Sequence, residues 1–309
     1  MGRYVARRLL QMIPVFIGTT LLIFLMVYSL PGDPVRALWG DRPADPQAMA
    51  RLRHEYWFDR PVLAQYWHYL SNVVTGDFGS SFVTGRKVID VMAETFPVTI
   101  RLALIAFAVE IVVGLSLGLL AGLNRGKLWD KLVLVITLLL ISIPIFVLGF
   151  IFQTIFADQL GWTTPTVQNS DDITQLILPG AVLGSLSFAY IARLSRTSLA
   201  ENLRADYIRT AIAKGLPRRR VVGIHLMRNS LIPVVTFLGT DLGALMGGAI
   251  VTEGIFNVHG IGNTLYRSIN QSDNATVVGI VTILVIVYLL SSLLVDLLYA
   301  ALDPRIRYA

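Results

Sequence analysis

The sequence predicts an all-α integral membrane protein with six transmembrane helices and a sizeable extracytoplasmic first loop. Three observations predict it. Of 309 residues, 54% are hydrophobic and only 15% charged, too few charges to cover a soluble domain of that length. The apolar residues gather into runs long enough to cross a bilayer, which takes about 20 residues. The basic residues gather between those runs, chiefly on one side. The core is therefore largely the membrane interior. The net charge of +6 lies in membrane-flanking loops, which argues against a nucleic-acid partner. There is no cysteine, hence no disulfide, thiolate metal site or cysteine nucleophile.

The elements follow in order. Arg3, Arg7 and Arg8 precede an apolar run from about Leu9 to Leu30. That run is longer than a signal-peptide core and lacks a small-residue cleavage site, so it reads as a retained first span. Residues 31–95 form the first loop, polar and rich in aromatics, with short helices expected around Pro46 to His54 and Pro61 to Val74. Its surface either covers the pathway or meets a binding protein, or it is a cap that only packs on the bundle. The second span, about Val98 to Leu123, carries Gly114, Gly118 and Gly122 on one stripe, a spacing that lets another helix approach closely. Arg101 stands near its outer end and Glu110 deeper. An acid at that depth is either functional or a partner for another polar group.

Asn124 to Lys131 is a short basic turn. The third span, about Leu132 to Phe156, contains Pro144, which should kink it. The fourth runs from about Leu176 to Ala192, and Arg193 and Arg196 mark its end. The fifth, about Leu231 to Val251, has a second glycine stripe at Gly239, Gly243 and Gly247 and holds Asp241. The sixth, about Val277 to Leu302, carries Asp296. Nine Lys/Arg fall between Arg193 and Arg228, against none in Ala157 to Thr174 and one in the last outer loop. Short loops carry the orientation signal, so both termini and the long basic loop are expected in the cytoplasm.

That loop, residues 193–230, is the part around which the chain is organised. In Asn202 to Pro233, Leu203, Tyr207, Ile208, Ala211 and Ile212 make one apolar stripe at helical spacing. Arg204, Asp206, Arg209 and Lys214 fall largely on the other side. Gly215 can take the left-handed conformation that ends a helix, and Pro217 suits the first turn of the next. A short amphipathic helix, a glycine and a second helix leading into a span make a lever. The plainer reading of the same residues is a solvated basic loop.

The segments DYIRTAIAKG (Asp206 to Gly215) and RNSLIPVVT (Arg228 to Thr236) resemble the coupling loop of ATP-binding-cassette importer permeases. LPGDP (Leu30 to Pro34), FPVTIRLAL (Phe96 to Leu104), SIPIFVLG (Ser142 to Gly149) and ALDPRIR (Ala301 to Arg307) extend the likeness nearly end to end. The chain resembles the B-type permease subunit of dipeptide and oligopeptide importers. Arg209, Thr210 and Ala211 stand where the general motif has Glu-Ala-Ala, a departure that favours the peptide branch.

The resemblance implies the type I importer permease fold, with residues 96–303 as its transmembrane domain after a helix at 1–30 and the outer loop at 31–95. It implies a bacterial inner-membrane location and a path shared with a second, similar permease chain. The other implied partners are two ATPase subunits, an extracytoplasmic solute-binding protein and membrane lipid. Arg204, Asp206, Tyr207, Ile208, Arg209, Thr210, Ala211, Lys214, Gly215 and Pro217 are its coupling residues, within a coupling helix at 205–217. Tyr207, Ile208 and Ala211 would enter an apolar groove of the ATPase. A charge at Ala211 is then expected to break docking, because an unpaired buried charge costs several kcal/mol. Asp241 and Glu253 either line the path or serve structure.

No catalytic constellation is present. GLNRGK (Gly122 to Lys127) lacks Walker A spacing, so the chain is expected to be a non-catalytic subunit without a cofactor, with ATP and magnesium on the partner ATPases. The four histidines are scattered, which argues against a metal site. Nickel and haem remain alternative cargoes of the same importer class. An ion-coupled carrier using Glu110, Asp241 and Asp296 is the competing class.

Overall fold

The structure, a computed structural model, describes residues 2–28, 45–55 and 57–302. LPGDP and the closing residues 303–309 lie outside them. The described residues are helical apart from turns and an antiparallel bridge between Ser80 and Lys87. In chain order the helices are α1 (Gly2–Tyr28), α2 (Pro46–Glu55), α3 (Val62–Val74) and α4 (Val88–Leu123). Then come α5 (Leu128–Ser142), α6 (Ile145–Gln159), α7 (Ile173–Leu183) and α8 (Ser185–Asn202). The remainder are α9 (Asp206–Ala213), α10 (Arg218–Ser230), α11 (Ile232–Phe256), α12 (Ile261–Asn270) and α13 (Asn274–Leu302).

Three of these are continuous helices long and apolar enough to cross a membrane, within α1, α4 and α13. Three more candidate spans are bent pairs: α5 with α6 at 111°, α7 with α8 at 55° and α10 with α11 at 49°. The expected kink at Pro144 is a full break. Ile143 and Pro144 are both extended, because a residue before proline is pushed out of the helical region. α4, α6 and α10 each contain a π-helical turn, at Glu110–Gly114, Gln153–Gln159 and Val221–Leu226. Apolar periodicity does not reveal such turns.

The chain divides into two compact units. One comprises Met1–Val98 with His259–Ala309. Within it α1 lies along α13, and Phe24, Tyr66 and Val278 form a buried core. The Tyr66 hydroxyl donates to the Ile17 carbonyl at 3.1 Å, and that of Tyr69 to Thr282 Oγ1 at 2.8 Å. The buried Asp273 carboxylate accepts from Ser81 Oγ at 2.6 Å, Phe82 N at 3.0 Å and Thr276 Oγ1 at 2.7 Å. These bonds fasten the first loop to the start of α13.

The other unit, Thr99–Val258, is built around α8. The glycine stripe of α4 is its bearing surface. A Cβ on Gly114, Gly118 or Gly122 would fall 2.9, 2.5 or 2.9 Å from Cβ of Ile191, Ser195 or Leu199. The stripe read in the sequence is thus a packing seam, and the helices meet backbone to backbone. Gly184, at the α7–α8 bend, sits equally close to the Ala106 carbonyl. The second stripe differs: Gly247 has nothing within 4 Å of a built Cβ. Asp172 caps α7, accepting from Thr174 N at 2.9 Å and Thr174 Oγ1 at 2.7 Å. These bonds, the Thr174 hydroxyl's foremost, hold its carboxyl below the usual carboxylate range.

Overpacking this seam is expected to be costly. Gly118→Leu should destabilise the purified protein by about 1–3 kcal/mol, as overfilled cores generally do. Gly18→Ala, where a Cβ meets nothing within 4 Å, should not. Thermal unfolding in detergent, with both variants side by side, checks the contrast.

Candidate functional site

α9 has eight residues, too few to persist as a free helix. Its apolar face is held by its own chain. Ile208 and Ala211, 1% and 5% exposed, join Leu199 of α8 and Val221 and Leu226 of α10 in one buried cluster. Leu119, Leu123, Leu216, Val222 and Met227 pack around it. Asp206 stands in the first turn, where a negative charge suits the helix dipole.

The end of α9 is closed by backbone bonds. Gly215 is left-handed, with φ 74°. Its N–H donates to the Ile212 carbonyl at 2.9 Å, and the Leu216 N–H donates to the Ala211 carbonyl at 3.3 Å. This paired closure also places Leu216 against the apolar cluster, as such helix ends commonly do. Gly215 therefore does what its sequence position suggests. Pro217 is the extended residue just before α10, one position earlier than expected.

The arrangement corrects the expected docking face. Ile208 and Ala211 are not available to a partner, because Leu199, Val221 and Leu226 already cover them. Tyr207 is partly exposed, and its hydroxyl donates to Asn202 Oδ1 at 2.6 Å. The outward face carries Arg209, Thr210, Ile212 and Lys214, and Ile212 is 62% exposed. Arg204 is also exposed, and Arg209 and Asp206 approach to 3.5 Å. The amphipathic period was legible, but not which face the chain would keep for itself. A charge at Ala211 would strike the protein's own core.

The two acids considered for the path are placed differently. Glu253 is buried and accepts from Thr99 Oγ1 at 2.6 Å, so in this conformation it does not face an open path. Asp241 of α11 is half-buried and has one buried oxygen without a hydrogen-bond partner. It stands within electrostatic reach of Glu110, which lies in the π turn of α4, with Ser187 of α8 beside them. Both Glu110 oxygens are buried without a hydrogen bond.

One pair escaped the sequence reading. Asp130, at the start of α5, holds Arg196 of α8. In the sequence Asp130 belongs to a basic turn and Arg196 marks the end of a span. The only signal was an acid set among Arg125, Lys127 and Lys131, and nothing in the sequence names its partner 66 positions away.

Comparison with known proteins decides the family. The profile described as binding-protein-dependent transport system inner membrane component matches residues 114–308, and the N-terminal profile of such components matches residues 1–103. The chain belongs to that family. This permease is 40% identical over 308 residues to the glutathione transport system permease protein GsiC of Escherichia coli (strain K12), covering 100% of both chains. It is 38% identical over 331 residues to the di/tripeptide transport system permease protein DppB of Pseudomonas aeruginosa (strain UCBPP-PA14), covering 99% of this chain and 98% of the other. The inward-facing MetNI methionine ABC transporter shares the fold, with TM-score 0.57 and 21% identity over 70% of this chain and 97% of that one. The protein is thus a multi-pass permease component of an ATP-binding-cassette importer with the type I fold. The family implies a complex with ATPase and binding-protein partners.

The seating of the permease's α9 gives a direct expectation. Ile208→Ala removes a fully buried side chain and should cost about 2–5 kcal/mol of local stability. Amide hydrogen exchange across α9 should then speed up, while Ile212→Ala leaves it unchanged.

Proposed function

We propose that this permease admits small peptides, of the di- and tripeptide or glutathione type, and is driven through the outward face of α9. The path is shared with a second, similar permease chain. Two ATPase subunits bind ATP and magnesium, a solute-binding protein delivers cargo from outside, and this chain contributes no catalysis and no cofactor. Both termini lie in the cytoplasm, on the ATPase side. The observation that carries the reading is the seating of α9. A short helix is anchored on its own chain by one face and offers the other outward, so a push on it is transmitted to α8 and α10 rather than lost in a loose loop.

Arg209, Thr210, Ile212 and Lys214 are the contact residues in this proposal, with Arg204, Asp206 and Tyr207 at the edge. Ile208 and Ala211 fix the helix from beneath, and Gly215 and Pro217 set the turn into α10. Cargo class rests on the two relatives, whose names specify glutathione and di/tripeptides and whose matches span the chain.

The test uses the assembled importer, with uptake of a labelled dipeptide measured in cells. Ile212→Glu and Arg209→Glu should each remove the ATPase from the purified complex and lower uptake by about tenfold or more, as truncating an interface anchor does. The level of inserted permease should be unchanged. Retention of the ATPase with normal uptake would remove α9 as the docking element. Absence of permease-dependent uptake of the labelled dipeptide, with permease-dependent uptake of nickel or haem, would overturn the cargo.

A further inference from the structure

A lever needs a rigid arm as well as a handle. α8 ends at Asn202, and α9 begins at Asp206, so α8 is the arm. Arg196 lies six residues before its end, about 9 Å along the helix. Its Nε donates to Asp130 Oδ1 at 2.5 Å and its Nη2 to Asp130 Oδ2 at 3.0 Å. The same Oδ2 accepts the Gly126 N–H at 2.8 Å. The Asp130 side chain is 3% exposed and that of Arg196 22%. One enclosed carboxylate thus ties together the first turn of α5, the turn that follows α4, and α8. Ala121, Val133 and Ala192 bring the same three helices together in a buried cluster.

We propose that Asp130 and Arg196 are positioning residues for coupling. Their two-pronged bond locks α8 to α5 and to the end of α4, so that displacement of α9 reaches the broken α5–α6 span. The inference rests on α9 being the docking helix. Chemistry favours a positioning role over a stabilising one. A buried ion pair is a poor source of stability compared with apolar packing in the same place. The guanidinium fork, however, meets a carboxylate in one planar geometry and so fixes orientation. Without it, α8 would rest on α4 through the glycine seam and on α5 through packing alone, with no polar contact to fix its angle, and could rock when pushed.

The experiment uses the assembled importer in lipid nanodiscs. The chain has no cysteine, so Lys131→Cys and Glu201→Cys, both exposed positions, give one labelled pair across the α5–α8 contact in this subunit. With the clamp intact, the spin-label distance should be the same without nucleotide and with ATP. Arg196→Gln should broaden that distance and lower cargo moved per ATP by about tenfold, with ATP turnover within about twofold of the parent. Asp130→Asn should match it, the double variant should be no worse than either, and Asp130→Glu should retain most of the coupling. A distance that changes with ATP in the clamped protein overturns the proposal, and that measurement does not depend on a variant folding. So does an unchanged transport ratio in both single variants. Retention of the ATPase with normal uptake in the Ile212→Glu and Arg209→Glu importers would instead show that the α9 reading has failed, and would take this proposal with it.

Discussion

An eight-residue helix has no stability of its own in water, and that constraint governs the α8–α10 end of this permease. α9 exists because Ile208 and Ala211 are buried among Leu199, Val221 and Leu226. Burying such side chains is worth about 1.5–3 kcal/mol for each large residue, enough to hold a helix that nucleation disfavours. The consequence is mechanical. The face that stabilises α9 is spent on its own chain, so only the opposite face is left open. The Gly215 closure then points Leu216 back into the same cluster, and the helix is held at its end as well as along its side.

The support for α9 continues into the membrane. Leu199 belongs both to the cluster beneath α9 and to the seam with Gly122 of α4. Three glycines, a three-residue apolar cluster and the Asp130–Arg196 pair fix α8 to its neighbours. The helices that join this frame to the rest of the unit are interrupted, at Gly184, at Ile143–Pro144 and at Leu231. Stiff contact around α8 and breaks at the ends of its neighbours are the arrangement expected of an element that moves as a body between discrete states.

Much of this was legible in the sequence, and the limits have physical reasons. Hydropathy located the spans because a bilayer demands length and apolarity together. The Gly114–Gly118–Gly122 stripe announced a close helix contact because only small residues permit one. The short helices α2 and α3 and the turn at Gly215 were readable from turn chemistry. Periodicity gave the apolar face of α9 but could not say whether the chain or a partner covers it, since both bury the same stripe. That is why Ile208 and Ala211 changed sides. Long-range pairs such as Asp130 with Arg196 and Thr99 with Glu253 leave no periodic trace. The π turn that carries Glu110 shifts register within an unbroken apolar run and was equally silent.

The central claim is that α9 keeps one face and offers the other. Single cysteines at Ala211 and Thr210, in a chain that otherwise has none, test it most directly. Maleimide labelling is measured on the purified permease with and without its ATPase. The account predicts that a cysteine at 210 labels quickly in the free permease and is protected once the ATPase binds, while one at 211 is slow in both. Rapid labelling at 211 in the free permease, with protection on ATPase binding, would contradict it.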